Sequence, residues 1–300
     1  MNGRSSLVPW IALAALAVLA TVPPAQAGPW TRPAGEGYVQ AALYAILPYD
    51  EVFGGEAPFV TSREMVDLTI EAYVEHGLTD AWTLLGAVPA KWVASGDAVA
   101  GRSLDVLPEE GSRLAPGAVR LGLRRALTRD GWVSAVQFDV ELPTGTFDET
   151  TGLRTGIDGT ALVPSVRLGR GGARSYGFAH FGVALRTGGY SEQIRAGFEY
   201  GRRVFGGEWL FVAGIEVVQS LRNEPRRDTI RDGERPDEIT NLATALYLDE
   251  QEVIAPVLKA IRSFGGRWGV MGTVQGGFTG NQVARSPFLG FAIFAHYGRD

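Results

Sequence analysis

Period-two alternation of apolar and polar residues runs through almost the whole chain, and that pattern leaves little room for anything but β-sheet. It occurs in twelve segments: Gly37–Leu47, Glu64–Glu75, Ala81–Ala94, Ala118–Leu127, Trp132–Leu142, Thr160–Leu168, Ser175–Arg186, Ser191–Arg203, Glu208–Ser220, Glu252–Arg262, Arg267–Phe278 and Phe288–Tyr297. In four of them a Trp stands at the start, just after a short turn. Trp82 follows Asp80-Ala81, Trp132 follows Asp130-Gly131, Trp209 follows Gly207-Glu208, and Trp268 follows Gly266-Arg267. Each Trp shares parity with the apolar set of its run, as Trp209 does with Phe211, Ala213, Ile215 and Val217. An indole has an apolar body and one N–H that prefers the wet headgroup region. A row of Trp at one end of successive strands, on the apolar face, is what a membrane–water interface selects.

The expected fold is therefore all-β: a transmembrane, antiparallel, up-and-down β-barrel of about twelve strands, an even number, as in bacterial single-chain barrels. The connectors agree. His76–Asp80, Thr128–Gly131, Gly169–Arg174, Val204–Gly207 and Ser263–Gly266 are tight and carry Gly or Asp. They alternate with mostly long connectors: Pro48–Arg63, Ser95–Gly117, Pro143–Gly159, Leu221–Gln251 and Thr279–Pro287. Short periplasmic turns and longer external loops are the barrel habit; only Thr187–Tyr190 is external by count and yet short. The count places both termini in the periplasm, Trp82, Trp132, Trp209 and Trp268 at the periplasmic interface, and Trp92 at the opposite girdle. Leu221–Gln251 reads as a solvated external loop in which the stretch near Asp237–Leu248 could form a short helix.

The N-terminal residues read differently. Arg4, an apolar run from Leu7 to Val22, and Ala25-Gln26-Ala27 make a secretory signal peptide over residues 1–27, with one barrel domain over 28–300. No later run is apolar for long enough to be a membrane helix. The chain has no Cys and a net charge of −5, so neither a disulfide framework nor nucleic-acid binding is expected.

Parity also sorts the charges. Asp67, Glu71, Arg120, Arg124, Asp139, Glu141, Arg167, His180, Arg186, Arg195, Glu199 and Glu216 fall opposite the apolar set and are the candidate lumen-lining residues. Lys259 shares parity with Val253 and Val257, so its facing stays open. A soluble barrel would put the apolar face inside, and parity alone fits both; the Trp row, the strand lengths and inward charges of both signs favour the membrane form. The acids Asp67, Glu71, Asp139, Glu141, Glu199 and Glu216 are expected to pair with Arg120, Arg124, Arg167, Arg186 and Arg195. Opposed charges of this kind favour a narrow, partly filled interior.

No chemistry for turnover emerges. The three His are His76, His180 and His296, and none has a Ser two residues away on the same face. No His/Asp/Glu set has metal-ligand spacing, and no phosphate-binding loop is present, so no catalytic residue, metal or cofactor is expected. Three functional classes stay open: a passive channel or uptake porin for small solutes, a closed structural or surface-interaction barrel using the Leu221–Gln251 loop, and a barrel hydrolase using His180.

Gly28-Pro29-Trp30-Thr31-Arg32-Pro33, Gly35-Glu36-Gly37-Tyr38, Tyr73-Val74-Glu75-His76-Gly77-Leu78-Thr79-Asp80, Leu142-Pro143-Thr144-Gly145 and Gly280-Asn281 resemble a group of uncharacterised outer-membrane barrels. They are the XagA-like proteins, related to the barrels named for the meta-pathway of phenol degradation. The resemblance covers most of the residues after 27 and implies an outer-membrane transporter or channel with no catalytic residues. The implied partners are outer-membrane lipid, a small-molecule solute and the outer-membrane assembly machinery. Barrels commonly end in Phe; this chain ends Tyr297-Gly298-Arg299-Asp300, leaving Tyr297 as the terminal aromatic.

Overall fold

The computed structural model describes residues 28–54, 58–99, 109–223 and 247–298. The expected signal peptide and nearly all of the candidate helix at Asp237–Leu248 lie outside these residues. The strands are β1 (Gly37–Val52), β2 (Phe59–Thr79), β3 (Trp82–Ala98), β4 (Gly111–Pro116), β5 (Val119–Thr128), β6 (Trp132–Leu142), β7 (Ala161–Gly171), β8 (Ser175–Arg186), β9 (Gln193–Val204), β10 (Trp209–Ser220), β11 (Glu252–Phe264), β12 (Trp268–Gln275), β13 (Thr279–Asn281) and β14 (Phe288–Tyr297). Every neighbouring pair is antiparallel. β1 pairs with both β2 and β14, and β10 with both β9 and β11, so the sheet closes on itself. The result is a closed barrel of twelve antiparallel staves, because two staves are broken into two strands each.

Both breaks have local causes. β4 and β5 pair successively with β3 and part at Gly117, where Pro116 and Pro89 face the same stretch of ladder. Neither proline has an N–H to give, and the Gly117 amide takes the Pro89 carbonyl at 2.9 Å instead. β12 and β13 part at Gly276-Gly277 and pair successively with β11.

Several boundaries differ from the sequence expectation. The connector His76–Asp80 is mostly strand, since β2 continues to Thr79. The connectors Pro48–Arg63 and Ser95–Gly117 are partly strand as well: β1 continues to Val52, β2 begins at Phe59, β3 runs to Ala98, and β4 was not anticipated. Polar and glycine residues there hide the alternation, while the backbone ladder continues past the apolar belt. Three of the other turns at that end use glycines with positive φ: Gly131 at 66°, Gly207 at 97° and Gly266 at 68°.

The apolar face is outside. Ile70, Leu121, Phe138, Val166, Phe198 and Ile293 are exposed on it. The charged set faces in, and Asp67, Glu75, Arg124 and Glu199 are buried. Lys259 also faces in, its side chain lying against Glu199. Among the described residues no helix is long and apolar enough to cross a membrane.

Candidate functional site: a chamber between two closures

The barrel interior has three levels. The lowest, at the short-turn end, is filled by side chains and by the segment that precedes β1. Gly28–Glu36 shows no alternation, and prolines 29 and 33 keep it out of the ladder. It crosses the mouth of the barrel as a strap. At one side the Trp30 ring meets Tyr176 and Phe178 edge-on, at centroid distances of 5.9 and 6.3 Å. At the other side the Arg32 amide donates to Thr83 Oγ1 at 2.7 Å, and Arg32 Nε donates to Glu75 Oε2 at 2.6 Å. Arg124 Nη1 donates to the Trp30 carbonyl at 2.9 Å, Nε to Gln137 Oε1 at 2.8 Å, and Nη2 to Glu75 Oε1 at 3.3 Å. Ala34 and Thr31 bind Asp80. Gly77 leaves room for the strap, since a Cβ there would collide with the Pro33 carbonyl. The rest of this level is an apolar cluster of Tyr38, Tyr176, Phe178, Leu210, Val212, Ile261 and Phe294, with Tyr73 and Met271 against it.

The upper level, at the long-loop end, is packed by described loop residues that turn inward. Leu153 and Leu248 are fully buried against Tyr49, Val52, Met65 and Val93. Asp249 accepts from the Ser191 amide at 2.9 Å and its hydroxyl at 3.1 Å, and Arg186 stands 3.8 Å away. Tyr247 donates to Asp67 Oδ2 at 3.1 Å, and Lys91 pairs with Asp67 at 3.0 Å. Burial, and then the Asp67 carboxylate, raise the pKa of Tyr247 well above the ordinary phenol value, so it stays a donor. In the adjoining loop Asp148 gathers the Thr151 amide and hydroxyl and the Thr150 amide, which hold its carboxyl below the usual range.

Between these two packed levels lies a cavity of about 650 Å³. Of the candidate lumen residues, Glu71, Arg120, Arg124, Asp139, Glu141, Arg167, His180, Arg195, Glu199 and Glu216 line it. Asp67 and Arg186 do not: they are higher on their strands, packed against the 247–249 segment. The cavity has two unlike walls. From β5 to β11 the wall is charged. Over β12, β14, β1 and part of β2 it is aromatic and neutral-polar: Tyr38 donates to Gln40 at 2.6 Å, Gln40 to Tyr44 at 3.2 Å, and Tyr44 stacks on Phe288.

The charged side chains lie flat along their wall, which is why space remains. Asp139 folds over Gly122, the His180–Glu216 pair over Gly197, and Glu199 over Gly214; a Cβ at any of these glycines would strike them. The pairing differs in part from expectation. Arg120–Glu71 at 3.0 Å and Arg195–Glu141 at 2.7 Å form as expected. Glu199 takes Lys259, Glu216 faces His180 at 3.4 Å, Asp67 takes Lys91, and Arg124 takes Glu75. Glu75, Lys91, Lys259 and the strap were missed as site residues. Glu75 and Lys91 follow the inward parity of their strands, so that signal was present; the strap had none in alternation.

His180 has no hydrogen bond from a serine. Ser165, on the neighbouring strand, turns instead to the Gln137 carbonyl at 3.4 Å. Among the described residues no His/Cys/Asp/Glu group of three could hold a metal.

On the outside, Trp82, Trp132, Trp209 and Trp268 all stand at the short-turn end. Three of them have a cross-strand arginine over the ring: Arg125 on Trp82 at 5.3 Å, Arg170 on Trp132 at 6.0 Å, and Arg262 on Trp209 at 5.4 Å. Trp268 stacks on Phe264 at 4.4 Å. Tyr73 is not part of this rim; it faces inward and donates to Glu75 at 2.7 Å.

A closed barrel with an apolar exterior and inward-facing charged side chains belongs to the architectural class of transmembrane β-barrels. Among solved structures the chain is similar to an outer membrane channel from Pseudomonas putida F1, with 13% identity over 92% of this chain and 100% of that one, at a TM-score of 0.64. Weaker similarities include the toluene transporter TbuX of Ralstonia pickettii (12% identity, 89% and 90% covered, TM-score 0.47) and the translocator domain of the autotransporter NalP from Neisseria meningitidis (10% identity, 89% and 90% covered, TM-score 0.46). No family model and no curated protein matches the sequence.

Proposed function

We propose that this protein is an outer-membrane channel for small polar solutes, closed at rest. The reading rests on one observation: a mid-barrel cavity of about 650 Å³ with a charged wall facing an aromatic and neutral-polar one, left open where side chains lie flat over glycines. In this reading residues 1–27 are removed on export, the short-turn end faces the periplasm, and the Trp row sits at that membrane interface with lipid around it. The sequence resemblance to the XagA-like and phenol meta-pathway barrels supports the same class, and the ten charged residues on the cavity wall are the proposed solute path.

Planar-bilayer recording and liposome swelling with a small sugar test it. The wild-type barrel is expected to give rare, small openings. The proposal fails if neither the wild type nor a variant with a released strap passes ions or sugar. The second reading, a permanently closed structural barrel, is favoured by the packing of both ends around Trp30 and Leu248, and that same negative result would leave it standing. A hydrolase is disfavoured by the serine geometry around His180; lipid hydrolysis that disappears in His180→Ala would restore it.

A further inference from the structure

The arginines on the outer rim have no role in the channel. On the outward faces at the short-turn end stand Arg125 (β5), Arg170 (β7), Arg202 (β9) and Arg262 (β11), with Arg129 and Arg267 in the adjoining turns. All are exposed except Arg262, which is half-exposed. They lie on alternate staves, and the pairing registers set three of them directly opposite a tryptophan: Arg125↔Trp82, Arg170↔Trp132 and Arg262↔Trp209. Arg202 faces Phe211 in the same way.

Charge at this level is one-sided. No carboxylate occupies the outward strand faces there among the described residues; the acids Asp80, Asp130 and Glu208 sit in the turns beyond. Of these, Asp80 is engaged by the strap and Glu208 meets Arg262 at 3.4 Å. Among the described residues the other end carries exposed acids, with Asp97, Glu109, Glu110 and Glu149. Among the described residues, a chain of net charge −5 thus gathers the cations of its outward strand faces at one rim.

The chemistry of the pair identifies the occupant. A guanidinium is planar and weakly hydrated, so it can stack on an indole and still offer N–H donors at its edge in a fork that fits phosphate oxygens. The indole sits at the glycerol-ester level, and the arginine beside it reaches the phosphate plane. We infer that the Arg125–Trp82, Arg170–Trp132 and Arg262–Trp209 pairs form a belt that binds the phosphate of anionic phospholipid headgroups in the membrane leaflet around the short-turn rim. The inference rests on the proposed membrane placement. It adds a lipid preference that a channel does not require.

The test uses the full-length barrel in neutral detergent. Phosphatidylglycerol and phosphatidylcholine are titrated separately, and retained lipid is read by native mass spectrometry. Phosphatidylglycerol should be retained well over tenfold more tightly. An arginine near an anionic surface is worth about fivefold, so Arg125→Gln, Arg170→Gln and Arg262→Gln together should weaken it by roughly a hundredfold. The Arg→Lys triple, which keeps the charge but loses the fork and the stack, should fall between. Equal retention of both lipids overturns the inference, as does a Gln triple variant indistinguishable from wild type. Displacement by millimolar glycerol phosphate also overturns it, since that marks a site for soluble phosphate. If the Gln variant does not assemble, the wild-type lipid comparison alone decides. A barrel that never inserts into vesicles, judged by heat-modifiable gel mobility, counts against the membrane channel itself. An inserted barrel without lipid preference counts only against the belt.

Discussion

Trp30→Ala combined with Arg32→Ala is expected to turn a barrel that rests closed into one that conducts for most of the recording. The strap Gly28–Glu36 is not part of a strand; backbone bonds of Gly35 and Glu36 to Gly77 tie its end, and the rest of its place in the mouth depends on side-chain anchors. One anchor is the Trp30 ring between Tyr176 and Phe178; the other is Arg32 on the buried Glu75. Truncating a seated Trp costs about 3–5 kcal/mol in a packed core. Trp30 is only part-buried, so the lower figure applies. A change of about 3 kcal/mol shifts a closed–open equilibrium by roughly a hundredfold. Gly77→Val approaches the same outcome from the wall side. Its side chain would displace the backbone carbonyls of Pro33 and Arg32 while leaving both anchoring side chains in the sequence. Both variants should raise open probability in planar bilayers and leave the circular-dichroism strand signal unchanged. If both assemble and conduct no more than wild type, the strap is not the barrier.

How far the sequence could lead here depends on which contacts are local. Alternation is local, so the twelve staves, their facing and the closed antiparallel order could be read from it. The Trp132 run illustrates this, with Val136 and Phe138 out and Gln137 and Asp139 in. Strand ends were less legible. β2 continues to Thr79 through Gly77, a residue whose purpose is to admit the strap and which therefore carries no side-chain signal. β4 was hidden because Gly117 and two prolines break its stave into short pieces. The strap itself was visible only as a family-like stretch, because its position is fixed by contacts distant in sequence, such as Arg124 to the Trp30 carbonyl. Parity gave the level and direction of each charge but not its partner. Strand stagger decides partners, so Glu216 meets His180 and not an arginine, and Glu199 meets Lys259.

The largest stability effect should come from Arg124. Its side chain is 0% exposed, and it is the one residue that joins the wall to the strap, to Glu75 and to Gln137. Arg124→Met keeps much of the stem volume and removes the charge. Glu75 then remains buried with Arg32 as its one cationic contact, and the Trp30 carbonyl and Gln137 lose a donor. Breaking a buried pair from one side costs about 3–5 kcal/mol, because the orphaned group keeps its desolvation penalty. Glu75→Gln alone leaves both Arg32 and Arg124 unneutralised and should cost a similar amount. The double variant should cost distinctly less than the sum, by about 1–3 kcal/mol, since neither charge is then left facing the other's absence. Urea unfolding in lipid vesicles, followed by tryptophan fluorescence, measures all four corners of this cycle. Additive losses would mean that Arg124 and Glu75 act on the barrel separately. Coupled losses that vanish when Arg32 is already alanine would show that the triad exists to hold the strap, and that the closure of this barrel and its stability draw on the same three side chains.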